Sequence, residues 1–187
     1  MFAAEKGLNL PLVQVDLGKG QNLEPAFLVK NPLGHVPVLE LDDGTCISES
    51  LAICEYLEDL HPDPSLIGSS AEERAITRMW DRRMELEVMQ HVLGAFMHSS
   101  AFFQGRRIQV PAYAEACREI VSQRWAWVDR TLADRRYIAG ERFSIADITL
   151  FCTLEFGNLV GEKCDTDALH HVARWHLSVG ERPSASA

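Results

Sequence analysis

Glu49 and Ser50 stand where a helical pattern begins in this 187-residue chain. The first turn of a helix offers unpaired backbone N–H groups and a partial positive charge, a setting suited to a carboxylate. The plain alternative is capping, with Ser48 as N-cap of a helix running to about Leu60 and an acidic residue favoured beside it. Five cysteines (Cys46, Cys54, Cys117, Cys152 and Cys164) are an odd number with no CxxC and no Cys/His ligand spacing. They argue against a disulfide framework and against a metal site, and for a reducing cytoplasm. Ser144 and Asp147, three residues apart before an apolar run, form a capping box with Asp in place of Glu and are assigned to folding.

These residues need a scaffold, and the composition supplies one. Hydrophobic residues make up 47% of the chain and charged residues 24%, proportions that fit a globular protein and not a disordered or fibrous one. No run approaches the ~18 apolar residues of a membrane span, and Met1 to Lys6 lacks the layout of a signal peptide. The net charge of −9 removes nucleic acid as a default partner. That charge is uneven: residues 1–64 hold 3 Lys/Arg against 11 Asp/Glu, and the remainder 15 against 16. Two modules with a border near Asp63-Pro64 are expected.

The first module changes period repeatedly. Phe2 to Gly7 reads as a helix end stopped by glycine. Leu12–Val15 and Val36–Leu41 read as strands, and Asp42-Asp43-Gly44-Thr45 as a tight turn returning to a strand at Cys46-Ile47. From Ala71 onward the pattern is helical: Ala71 to about Ser100, Pro111 to about Asp134, Ser144 onward, and Asp167 to Val179. On the first of these, Met79, Leu86, Leu93 and Phe96 share a stripe at 100° per residue, with Trp80, Met84 and Val88 roughly opposite. A helix apolar on two sides is sandwiched, and Trp80, Met84 and Val88 are expected to be shielded by a partner copy or by the first module.

At three places the chain resembles the cytosolic glutathione transferase family. Asn31-Pro32-Leu33-Gly34-His35-Val36-Pro37-Val38-Leu39 is similar to the family's NPxGxVPxL. Ile47-Ser48-Glu49-Ser50-Leu51-Ala52-Ile53 is similar to its helix start, and Phe143-Ser144-Ile145-Ala146-Asp147-Ile148 to its capping motif. The resemblance covers essentially the whole chain. It implies an α+β fold: a thioredoxin-like N-terminal domain over residues 1–64, then an all-α helical-bundle domain over residues 69–187. It also implies a cis Val36–Pro37 bond, with the backbone of Val36 free to pair antiparallel with a peptide. Glutathione is that peptide in the family. Ser50 and the first helical turn take its γ-glutamyl carboxylate, Glu49 meets its amino group, and His35 can reach its glycyl carboxylate. A solvated loop histidine is the alternative for His35.

The family normally opens with a strand and a loop bearing Tyr, Ser or Cys for the sulfur, whereas this chain starts inside the helix that follows. The first strand is expected to be missing, the remaining sheet to be loosened, and an upstream segment to exist in the natural chain. Arg78 to Leu86 and Phe96-Met97-His98-Ser99-Ser100 resemble a fungal and bacterial subgroup. There a water held by side chains of the helical domain, a histidine among them, replaces the hydroxyl. That points to His98 as the catalytic candidate, polarising water as a general base, against a helix-surface or interface histidine.

The function so implied is conjugation of the glutathione thiolate to a small electrophilic, apolar substrate. It carries detoxification, a cytoplasmic setting and a homodimer with it, and involves glutathione as co-substrate with no metal, no nucleic acid and no membrane. The rival is a non-catalytic module that keeps the fold for dimerisation or ligand binding.

Overall fold

The computed structural model describes all 187 residues and separates into two units, Phe2–Ser65 and Leu66–Ala187. In the first, a hairpin forms between β1 (Val38–Glu40) and β2 (Cys46–Ser48), paired antiparallel with Val38 opposite Ser48 and Glu40 opposite Cys46. The Asp-Gly turn works as its residues require. Gly44 sits at φ 85°, and the Asp43 carboxylate accepts the Thr45 N–H at 2.9 Å. Two short helices precede the hairpin, α1 (Phe2–Glu5) and α2 (Pro25–Leu28), and α3 (Ser50–Leu60) follows β2 directly.

Leu12–Val15 does not form the expected strand. The segment is irregular, with Leu12 80% and Val13 89% exposed. The sheet has two strands only, so no neighbour receives the N–H and C=O groups of this segment. Strand preference in β-branched residues expresses packing on a pleated surface, and without that surface it has no effect. The expected strand at Val36–Leu41 is shortened to Val38–Glu40, and Ser48 ends β2 instead of capping α3.

What ties α1 to α3 is a buried ion pair. The Lys6 ammonium lies 2.5 Å from the Glu58 carboxylate, with side chains 0% and 3% exposed. Its other protons go to the carbonyls of His61 and Pro64, each at 2.7 Å. A lysine has three N–H donors, and here all three have acceptors.

The second unit is all helical, so the α+β architecture expected from the sequence is observed. Ala71–Arg83 (α4) begins at a capping box in which the Ser70 hydroxyl accepts the Glu73 N–H at 3.1 Å. The helix then passes through a π-helical stretch, Met84–Met89, into α5 (Gln90–Ser99). Trp80, Met84 and Val88 are 7%, 0% and 0% exposed, because this side packs on α6 (Pro111–Thr131) and α7 (Ile145–Val160). They are bundle core, which corrects the expectation that a partner shields them. The large apolar side chains that this long helix leaves on the surface are Ile76, Met79 and Leu86.

Asp147 is the N3 residue of α7, whose N-cap is Ser144, and does more than complete the capping box. Its carboxylate accepts the Ser144 N–H and hydroxyl, the Ile138 N–H and the Trp175 indole N–H of α8 (His170–Gly180), all at 2.9–3.1 Å. Burial pushes its carboxyl up to about 6, against these four donors, which favour the charged form. All four tryptophans, Trp80, Trp125, Trp127 and Trp175, belong to this unit, and Trp80 stacks on Trp127 with centroids 5.9 Å apart. No helix is long and apolar enough to cross a membrane.

Candidate functional site

Antiparallel pairing of β1 with β2 sets the geometry of the first unit's site. Pro37 immediately precedes β1 and Glu49 immediately follows β2, so the ladder that ends at Val38 and Ser48 brings the two motifs to one end of the hairpin. His35, Val36, Pro37, Glu49 and Ser50 are all exposed there. The Val36–Pro37 bond is cis. Neither the N–H nor the C=O of Val36 takes part in the chain's backbone hydrogen bonds, which leaves both for a ligand running alongside.

Glu49 adopts φ 70° and ψ 121°, the one non-glycine residue in the chain with positive φ. It is the N-cap of α3, yet no side chain caps that helix. Its carbonyl still accepts the Ile53 N–H at 3.0 Å, which starts the helix correctly while the first-turn N–H groups stay available. Non-glycine residues in such regions cost ~1–3 kcal/mol and persist where the surroundings impose them. Nothing in the Glu-Ser sequence announces this backbone.

Asn31 holds the other half in place, a role the sequence reading missed. Its side chain, in a residue 3% exposed, donates to the His35 carbonyl at 2.9 Å and accepts the Leu33 N–H at 3.1 Å. Asn22 donates to the Gly34 carbonyl at 2.7 Å. Gly34 sits at φ 65°, where a Cβ would come within 3.0 Å of the Asn22 carbonyl oxygen, so this turn requires glycine. The available signal is Asn at the first position of the Asn31–Gly34 turn, where its side chain accepts the N–H two residues on. Lys30 and Glu40 form an exposed ion pair across the same loop.

His98 lies in the second unit, near the end of α5. Its Nδ1 accepts the Val110 N–H at 3.0 Å, and its ring meets that of Tyr113 edge-on at 5.0 Å. Since the backbone N–H can only donate, a neutral His98 carries its proton on Nε2. That nitrogen is then a donor and not a base.

The chain is similar to known proteins along most of its length. Residues 1–60 match the family model for the glutathione S-transferase N-terminal domain, and residues 84–183 the model for its C-terminal domain. Glutathione S-transferase 2 of Saccharomyces cerevisiae is 35% identical over 192 residues, spanning 97% of this chain and 79% of that protein. The crystal structure of Gtt2 from Saccharomyces cerevisiae superposes with a TM-score of 0.93 at 33% identity, covering 99% of this chain and 90% of that one. A probable elongation factor 1-gamma of Arabidopsis thaliana is 33% identical over 164 residues, which are 87% of this chain and 38% of that protein.

Proposed function

The chain belongs to the glutathione S-transferase family, and on that premise we propose that it joins the thiolate of glutathione to an electrophilic, mostly apolar second substrate. The observation that carries this reading is the exposed pair Glu49–Ser50 at the start of a helix with no side-chain cap, with Glu49 held at φ 70°. The γ-glutamyl carboxylate meets the Ser50 hydroxyl and the first-turn N–H groups, and the Glu49 carboxylate meets the γ-glutamyl ammonium. The cysteinyl unit pairs with the backbone of Val36 beside Pro37, and His35 receives the glycyl carboxylate. His98, in the second unit, is the catalytic candidate: with its proton on Nε2 it is a hydrogen-bond donor to a water, in place of the general base expected from the sequence.

The reading includes a cytoplasmic protein engaged in detoxification, consistent with five free cysteines. It also includes a homodimer, supported by the exposed Ile76, Met79 and Leu86 on the long helix. Sedimentation at micromolar concentration tests the dimer, and a stable monomer counts against it.

The likeness to an elongation factor favours a second reading, a transferase-fold module that binds or assembles without catalysis. Titration calorimetry with glutathione separates the cases. Glu49→Ala and Ser50→Ala are each expected to weaken binding at least tenfold, since a charge-assisted hydrogen bond contributes roughly 1.5–3 kcal/mol. Unchanged affinity in both variants refutes the site. Binding without turnover of any electrophile supports the second reading.

A further inference from the structure

Two adjacent residues of the loop before α6 reach back to the last turn of the long helix. The Gln109 amide donates to the carbonyls of Met97 at 3.0 Å and Ser100 at 2.8 Å. Its neighbour Val110 donates its backbone N–H to His98 Nδ1 at 3.0 Å. Both partners of Gln109 are carbonyls, so the nitrogen end of its amide faces them and both of its N–H groups are used. Met97 is among the last four residues of α5, whose carbonyls find no partner within their own helix, and Gln109 supplies one.

Burial does little to hold this segment. From Gln104 to Val110, Gln109 is the one residue that is not exposed, and Ile108 beside it is 86% exposed. Backbone hydrogen bonds tie Arg106 and Arg107 to Phe103 and then run out, since neither Ile108 nor Gln109 makes one. Val110 is the N-cap of α6, and in the first turn of that helix the Tyr113 ring meets that of His98 edge-on at 5.0 Å.

The Val110 contact decides what His98 offers. A neutral imidazole carries one N–H, and a lone pair engaged at Nδ1 leaves the proton on Nε2. Released from Val110, the ring can hold its proton on either nitrogen, and Nε2 then alternates between donor and acceptor. The group that fixes the tautomer is here a backbone amide, whose position depends on whatever holds its loop.

Resting on the reading in which His98 donates from Nε2 to a water, we propose that Gln109 is a positioning residue for His98. Its two hydrogen bonds clamp the loop to the end of α5 and so deliver the Val110 N–H to Nδ1. Gln109 acts on the ring through its neighbour.

Nitrogen-15 NMR of the histidine side chains tests this at about pH 8.5, where an ordinary histidine is neutral. The His98 signals are identified by their loss in His98→Gln. The natural chain is expected to show a protonated Nε2 and a bare Nδ1. Gln109→Met keeps the length of the side chain and removes both donors, and is expected to draw the two signals together as the tautomers mix. Gln109→Lys returns N–H donors at similar reach and is expected to move them part of the way back. Mixed tautomers in the natural chain, or unchanged signals in Gln109→Met, overturn the proposal.

Turnover of glutathione with 1-chloro-2,4-dinitrobenzene separates the proposal from the reading beneath it. In Gln109→Met, kcat is expected to fall roughly tenfold with KM for glutathione within about twofold, because the residues proposed to bind glutathione lie in the first unit. A kcat that falls in His98→Gln and holds in Gln109→Met overturns the positioning role. If His98→Gln turns over as fast as the natural chain, or nothing turns over, the catalytic reading of His98 fails, and the NMR result alone decides whether Gln109 sets the tautomer.

Discussion

Lys6→Met removes an ammonium from the centre of the first unit while keeping the length and most of the apolar stem of the side chain. Lys6 and Glu58 are 0% and 3% exposed at the side chain, so solvent screens their interaction little. The substitution leaves the Glu58 carboxylate buried without its ammonium, and takes a charged donor from the carbonyls of His61 and Pro64. Breaking a buried pair on one side costs roughly 3–5 kcal/mol, a large part of the ~5–15 kcal/mol that holds a typical domain together. Because Glu58 lies on α3, the helix that presents Ser50, the loss should also weaken glutathione binding. Native-state hydrogen exchange at the α3 amides reads the effect directly: protection is expected to fall by about two to four orders of magnitude. The double variant Lys6→Met/Glu58→Leu, which removes both charges, is expected to recover most of it. Protection in the single variant that stays within tenfold of the original would show that the pair does not hold α1 to α3.

Glycine is expected to suit position 49 better than alanine: Glu49→Gly should be about 1 kcal/mol more stable than Glu49→Ala by urea unfolding, while both lose glutathione affinity. Asn31→Ala removes the side chain that fixes the His35 carbonyl and the Leu33 N–H, so calorimetry should show weaker glutathione binding with a cost of about 1–3 kcal/mol. The Asp147 carboxyl is raised to about 6 in the folded chain, above its unfolded value of 3.8. Its stabilising contribution is therefore full below pH 4 and lost as pH rises through 6. The stability of the natural chain relative to Asp147→Asn should fall by about 2 kcal/mol between pH 4 and pH 7, and a gap constant with pH contradicts the shift.

Short-range chemistry in this protein is legible from the residues, and long-range pairing is not. The Asp-Gly turn, the Ser144–Asp147 capping box and the hairpin beside Val36-Pro37 each follow from residues within a few positions of one another. The Lys6–Glu58 pair joins positions 52 apart, and nothing local marks either as buried. Leu12–Val15 has the residues of a strand and lacks the neighbour that makes one. Spacing at 100° per residue separates two apolar faces on the long helix but does not say which one meets the rest of the bundle: Trp80, Met84 and Val88 are buried while Met79 and Leu86 are exposed. Within the site, the residue types at 35–37 and 49–50 were readable. The backbone of Glu49, the Asn31 brace and the proton position on His98 depend on conformation that a list of side chains does not contain.

The placement of the indoles makes the chain a built-in two-colour experiment. Excitation at the red edge of the absorption band reports Trp80, Trp125, Trp127 and Trp175, all beyond Leu66, and is blind to the melting of residues 2–65. Far-ultraviolet dichroism sees both units, α3 included. Coincident transitions by the two probes mean that the units unfold as one cooperative block. A dichroism change that precedes the fluorescence change isolates the first unit's own free energy, with no label and no substitution.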